Sequence, residues 1–556
     1  MISRRTFLRG TAAGALLWPL GSRIGAQAAP AEVLYNGITL GSPWPPRLQY
    51  PEEHPVLPPY LADPPAIIPI DTGRQLFVDD FLIEETSLDR VHHHATYHPA
   101  NPIVKPDQPW ELNDDYAERT HTEPNPSAMV FSDGVFYDPK DRLFKMWYMG
   151  GYGMNTCLAT SSDGITWAKP AFDVVAGTNI VSKAARDSST VWLDLESADP
   201  RQRYKMSLFN DNRLLLYTSP DGVHWLQVGS TGRTGDRSTF FYNPFRRVWV
   251  FSIRADQYIG SVSGRYRQYV EATDFAATRD WSRLAPVAWV KADSSDYARA
   301  GVAERPELYN LDCVAYESVM LGLFSIWRGE SNQREKINEI AVGFSRDGFH
   351  WHRPDRSSFL SVSEEVGSWN WANVQSAGGG CVVVGDRLHF YVSGRQGRPG
   401  TGAPGVCSTG LATLRRDGFA SMDWLPGEAR TLRRGPVAAG TLITRPVTFS
   451  GGHLFVNADL TGGELRVEVL DRAGRVVAPF TATACIPVTG DGTRLGVSWS
   501  AGSLASLAGQ PVRFRFTLTR GRLYAFWVSV WPTGQSRGYP AAGGPEFAGA
   551  VDAARA

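Results

Sequence analysis

Two short phrases place an acid beside hydroxyl groups in the same local setting. Arg186-Asp187-Ser188-Ser189-Thr190-Val191-Trp192 parallels Gly235-Asp236-Arg237-Ser238-Thr239-Phe240-Phe241. Each runs into an aromatic-rich stretch, Arg203-Tyr204-Lys205-Met206 in one and Arg247-Val248-Trp249-Val250 in the other. A third candidate is Leu311-Asp312-Cys313, followed by Glu317. Paired carboxyl groups suit acid–base cleavage of an acetal, in which one protonates the leaving oxygen and the other attacks or activates water. Asp187, Asp236, Asp312 and Glu317 are therefore the catalytic candidates, with Glu317 as the acid. The odd spacing of Asp312 and Glu317 puts them on opposite faces of a regular strand unless a bulge intervenes. Arg237 could bind a carboxylate or hydroxyl, or pair with Asp236. Trp369, Trp371 and Asn373 suit a sugar platform, and Arg395 and Glu339 are further polar candidates. The run His92-His93-His94 is a poor metal site because neighbouring strand residues face opposite ways. Asp79-Asp80 reads as a strand-to-turn element, and no metal is expected.

A repeated phrase supplies the frame for these residues. Ser161-Ser162-Asp163-Gly164-Ile165-Thr166-Trp167 returns as Ser219-Pro220-Asp221-Gly222-Val223-His224-Trp225 and as Ser345-Arg346-Asp347-Gly348-Phe349-His350-Trp351. Weaker copies surround Asp274 and Asp417. A Ser-x-Asp-Gly turn closing a hairpin, repeated every roughly 50 to 75 residues, predicts a β-propeller of five blades. Asp163, Asp221 and Asp347 then sit on outer hairpins as structural residues. The polar entries open innermost strands, so Asp187, Asp236 and Asp312 should converge on the central funnel.

The chain of 556 residues is 43% hydrophobic and 12% aromatic, with 56 basic and 56 acidic residues. Such a composition excludes a disordered chain, and the balanced charge argues against a nucleic-acid partner. Ser3-Arg4-Arg5-Thr6-Phe7-Leu8, the apolar run to Leu20 and Ala26-Gln27-Ala28 read as a cleavable twin-arginine signal over residues 1–28. Its removal takes four arginines, leaving 52 basic against 56 acidic residues. A periplasmic or secreted location follows, with no membrane partner after cleavage. A proline-rich arm over 29–70 precedes a propeller over 71–434. Alternating stretches such as Val512-Arg513-Phe514-Arg515-Phe516 predict a β-sandwich over 435–535, and 536–556 reads as a flexible tail. Five scattered cysteines, without CxxC spacing, predict no disulfide framework. No dinucleotide, haem or iron–sulfur motif is found, so no cofactor is expected.

With the repeats and the tail laid out, the chain resembles the five-bladed-propeller glycoside hydrolases. It is most similar to the family 32-like proteins, with families 43, 68 and 130 further off. Asn101-Pro102-Ile103-Val104 and Trp110-Glu111 look like a family 130 opening. The stretch from Thr444-Arg445-Pro446 to Phe526-Trp527 looks like the appended sandwich of family 32. The acidic signatures of fructosidases are absent. The repeated phrase also looks like the Asp box of sialidases, which have six blades. The resemblance implies an all-β enzyme that hydrolyses an oligo- or polysaccharide. Two alternatives stay open: a non-catalytic carbohydrate-binding propeller, and a lyase using a Tyr or His base with an Arg or metal against a uronate.

Overall fold

The computed structural model describes residues 31–554 except 49, 115, 116, 119–122, 260, 261, 280, 301, 304, 332 and 426–437. The expected export segment and the expected 434/435 boundary lie outside the described residues. No helix among the described residues is long and apolar enough to cross a membrane.

Five antiparallel sheets form the blades of a propeller. Blade 1 has an inner strand in two pieces, Ala128–Met129 and Val135–Asp138, followed by Leu143–Gly150, Asn155–Ser161 and Ile180–Ser182. Blade 2 begins with Ser189–Leu193, blade 3 with Thr239–Asn243 and blade 4 with Glu307–Glu317. In blade 5 the inner strand is again divided, into Asn373–Gln375 and Val382–Val384. Neighbouring inner strands touch around the axis: Val191 N–H donates to Asp133 O, and Thr239 Oγ1 donates to Leu311 O. Ring closure comes from an early segment, since Thr96–Tyr97 adds as the outer strand of blade 5 beside Cys407–Arg415.

The repeated phrase forms one structure three times. In each turn the serine Oγ accepts from the glycine N–H, at 2.8 Å in blade 1 and 2.9 Å in blades 2 and 4. The aspartate Oδ1 accepts from the next two backbone N–H groups, Ile165 and Thr166, Val223 and His224, or Phe349 and His350. The glycines take φ near +80°, a region costly for any residue with a Cβ. An aromatic residue of the adjacent blade donates into each turn: Tyr391 Oη to Gly164 O, Trp147 Nε1 to Gly222 O and Trp289 Nε1 to Phe349 O. The repeat therefore joins blade to blade.

A nine-stranded antiparallel sheet forms the second unit. Its central strand, His453–Leu470, pairs through its first half with Gly521–Ser529 and through its second half with Arg513–Leu518. Gly462 and Gly463 lie between the two pairings, and the two halves share a core containing Phe77, Phe514, Phe516 and Phe526. This is the β-sandwich. Three segments expected in the propeller pair here instead: Gln75–Leu76, Ile83–Thr86 and Asp89–His92. Ala420–Trp424, which follows the fifth copy of the phrase, joins the same sheet. Tyr539–Pro540, expected in a flexible tail, pairs with the far end of the blade 4 inner strand. The arm lies on the body: Tyr35 stacks on Phe245 at 4.2 Å, and Trp44 meets Phe349 edge-on.

Candidate active site

The heads of the inner strands gather at one end of the axis, and Arg237 lies among them. Its N–H is held by Ser188 Oγ of blade 2 at 3.0 Å, and its φ is +61°. A left-handed backbone at a buried arginine costs free energy of order 1–3 kcal/mol, which the surrounding contacts must offset. Arg237 Nη2 lies 3.0 Å from Asp187, and its Nε lies 4.0 Å from Asp236. The guanidinium covers Phe131 of blade 1 at 3.9 Å and approaches Tyr309 of blade 4 at 5.8 Å. Asp236 also pairs with Arg254, which reaches Asp256 at 3.2 Å. Arg265 closes the arc, 3.4 Å from Glu307 and 4.5 Å above the Tyr309 ring. Acids and guanidinium groups thus alternate from blade 2 to blade 4.

Overlong hairpins build the wall. Blade 3 uses strands of 12 and 11 residues and blade 4 strands of 13 and 12, against 7 and 7 in blade 2. Between them lies a cavity of about 260 Å³ whose lining includes Arg254, Asp256, Arg265, Glu307, Tyr309 and Lys336. A register shift between Leu308 and Asn310 leaves Tyr309 out of the strand ladder. Burial would raise the Tyr309 phenol, but Arg237, Lys336, Arg395 and Arg265 together bring it down to about 7. Burial raises the Glu307 carboxyl against the pull of Arg265. Arg267 supports the floor from below, donating to Arg237 O at 2.7 Å and to Tyr309 O. Its own pKa falls to about 9 through burial and the neighbouring Arg265 and Arg254.

Several solved structures are similar to this chain at low identity. A thermostable family-43 glycoside hydrolase is 12% identical, covering 55% of this chain and 96% of its own, with a TM-score of 0.38. An exo-beta-1,3-galactanase from Phanerochaete chrysosporium is 10% identical, covering 79% and 100%, with a TM-score of 0.31. A fructofuranosidase from Schwanniomyces occidentalis is 13% identical, covering 72% and 95%, with a TM-score of 0.33. No protein-family model and no curated relative matches the chain. The site therefore has to be read from its own residues.

The structure brings Asp187 and Asp236 to Arg237, whereas Asp312 and Glu317 lie elsewhere. Asp312 sits beneath the floor on the axis, 4% exposed. Its Oδ2 accepts from Ala377 N–H at 3.0 Å and from Asn310 Nδ2 at 2.8 Å, and Asn310 also donates to Ser132 and Ser376. Asp312 thus stitches blades 4, 1 and 5 together and does not face the funnel. Glu317 occupies the opposite end of the same strand, held by Arg74, Arg416 and Ser536. It cannot be the funnel acid.

Among the binding candidates, Glu339 is consumed by Arg299, Arg328 and Ser358 on an outer strand pair. Trp369 wedges over Gly394 and Gly410, where a Cβ would come within 2.2 and 2.1 Å of its ring. Trp371 is buried under Arg334 at 5.0 Å. Both tryptophans are packing residues of blade 5, not a sugar platform. Asn373 and Arg395 are better placed. Asn373 donates to Lys336 O at 2.7 Å while its Oδ1 has no hydrogen-bond partner, and Arg395 lies over Tyr152 at 5.3 Å. His93 and His94 bond separately to Ser421 and Asp355, and no group of metal-ligating residues occurs among the described residues. Asp79 pairs with Arg346 away from the funnel.

Glu307, Tyr309, Lys336 and Gln375 were not singled out from the sequence. Glu307 and Tyr309 open the blade 4 inner strand just as Asp187 and Asp236 precede theirs, and that position was the available signal. Gln375 is fully buried, and both its amide atoms lack a hydrogen-bond partner.

Proposed function

We propose that the protein is an exported glycoside hydrolase that cleaves an oligo- or polysaccharide in the propeller funnel. The observation that carries this reading is the meeting of Asp187, Asp236 and Glu307, from the heads of three consecutive inner strands, around Arg237, Arg254 and Arg265. Glu307 is the general acid, because burial favours its protonated form. Asp187, with a side chain 41% exposed, is the carboxylate that attacks the anomeric carbon or activates water. Asp236 positions the two arginines. A glycan panel assayed for new reducing ends tests the assignment. Asp187→Asn and Glu307→Gln should each lower turnover at least about 100-fold with melting unchanged. Full activity in both variants would remove these residues from the mechanism.

A second reading rests on Tyr309. A phenol titrating near 7 among arginines could take the proton beside a uronate carboxylate, which eliminates the glycosidic oxygen. That reaction leaves a conjugated double bond with ultraviolet absorbance, whereas hydrolysis does not. Loss of such absorbance in Tyr309→Phe, with Glu307→Gln still active, would favour elimination.

A further inference from the structure

Acids and cations balance along the funnel wall, yet not every cationic donor there has an acceptor. Asp187, Asp236 and Asp256 all belong to blades 2 and 3, and each already faces a guanidinium. On blade 4, Glu307 lies 3.4 Å from Arg265 and Glu330 lines the same cavity. Tyr309 is approached by Arg237, Lys336, Arg395 and Arg265. Lys336 makes no ion pair among the described residues and lines the cavity. Arg237 is 4% exposed, yet its Nε and Nη1 have no hydrogen-bond partner, and neither has Arg265 Nη1. Buried guanidinium donors without acceptors are costly. On a cavity wall, as at Arg265, a bound ligand can supply the acceptor. Asn338 and Asn373 both donate to Lys336 O, and their Oδ1 atoms are unpartnered, as is the Gln375 amide.

We propose that this part of the funnel binds a negatively charged sugar substituent, a uronate carboxylate or a sulfate ester, through Arg237, Arg265 and Lys336. The inference rests on the funnel being a carbohydrate site and adds the charge of the sugar it takes. An arginine suits either anion because its planar fork offers two parallel donors, and Lys336 adds a point charge from the cavity wall. Asn373 and Gln375 would hold the ring hydroxyls.

The test is equilibrium binding to the full-length protein, measured calorimetrically in low salt. Probes are galacturonate and glucuronate, galactose 6-sulfate, and neutral galactose and glucose. At least tenfold tighter binding of an acidic sugar than of its neutral counterpart is expected, and comparison of the uronate and sulfate arms tells which anion is read. Lys336→Gln, a change on the cavity wall, should reduce that preference several-fold, Arg237→Gln should abolish it, and Arg237→Lys should restore part of it. Equal binding of neutral and acidic sugars by the wild type would overturn the proposal, as would an undiminished preference in Lys336→Gln. Binding and cleavage fail separately. Acidic sugars bound but not cleaved would overturn hydrolysis alone, whereas a neutral glycan cleaved without acidic preference would overturn the charge assignment alone.

Discussion

On the propeller axis a carboxylate is made to behave as a weak acid. Burial raises Asp312 from 3.8 to about 6, although Ala377 N–H, Ser132 and Asn310 favour its charged form. Protonated in the fold, Asp312 stabilises the protein fully below its unfolded value, and that contribution disappears as pH rises through 6. About two units correspond to about 3 kcal/mol. Asp312→Asn keeps the shape and an acceptor oxygen without the charge. Its stability in urea should therefore improve relative to wild type by about 3 kcal/mol between pH 4 and pH 7, and a constant difference would contradict the assignment. Tyr309 offers a spectroscopic counterpart. One tyrosinate should appear in the ultraviolet spectrum near pH 7 and be missing in Tyr309→Phe. The same scale explains which of the proposed catalytic residues could be picked out in the sequence. Asp187 and Asp236 were legible because two blades repeat their phrase. Glu317 misled because nothing in a linear text says which end of a strand faces the funnel. Glu307, ten positions earlier, has the right end.

At the scale of elements, the Ser-x-Asp-Gly turn is where local chemistry becomes architecture. Gly222 has φ +82°, and a Cβ there would come within 2.5 Å of Trp147 Cζ2. Gly222→Ala should cost about 2–4 kcal/mol from backbone strain and overpacking together, seen as a lower denaturation midpoint. Asp163 and Asp221 are held down at about 2 against the cost of burial, Asp163 by the Ile165 and Thr166 N–H groups and Asp221 by the His224 side chain with the His224 and Val223 N–H groups, so these turns should stay intact well into acid. The blade count was readable because this turn needs glycine and aspartate at fixed places. The fate of Asp417 was not. Its phrase is the fifth copy, yet its carboxylate accepts from Arg74 at 2.9 Å and from Tyr316 at 2.6 Å. A hairpin turn has there been converted into a joint with the sandwich. Divided inner strands in blades 1 and 5 were likewise invisible, since short pieces such as Asn373–Gln375 carry no periodicity.

At the scale of the molecule, a buried cluster around Arg74 helps fasten the two domains. Arg74 reaches Glu317 at 3.5 Å and Asp417 at 2.9 Å, and its guanidinium covers Trp527 of the sandwich at 4.2 Å. Removing one partner of such a cluster leaves a buried charge unpaired, at a cost of about 3–5 kcal/mol. Glu317→Ala should therefore lower the melting midpoint of both domains together while leaving KM unchanged at temperatures where the variant is folded. Two separate transitions would show that the domains stand alone. The sandwich itself was legible from alternating residues such as Phe514 and Phe516. Its borrowing of Gln75–Leu76 and Asp89–His92 was not, because pairing partners more than 300 positions apart share no local pattern.

The closure of blade 5 has a consequence for how the chain is made. Thr413 pairs with Thr96, and Tyr316 waits for Pro540. As synthesis proceeds, blades can form one after another, but the ring stays open until its fifth member meets a segment made near the beginning. Until then the edge of Cys407–Arg415 presents unpaired backbone groups, a template for wrong partners. Such late, long-range pairing is slow and exposes the growing protein to aggregation. Fragments ending before residue 407, in which Thr96–Tyr97 has no partner and the ring cannot close, should accordingly be recovered as aggregates, and the intact chain as a monodisperse species by size-exclusion chromatography.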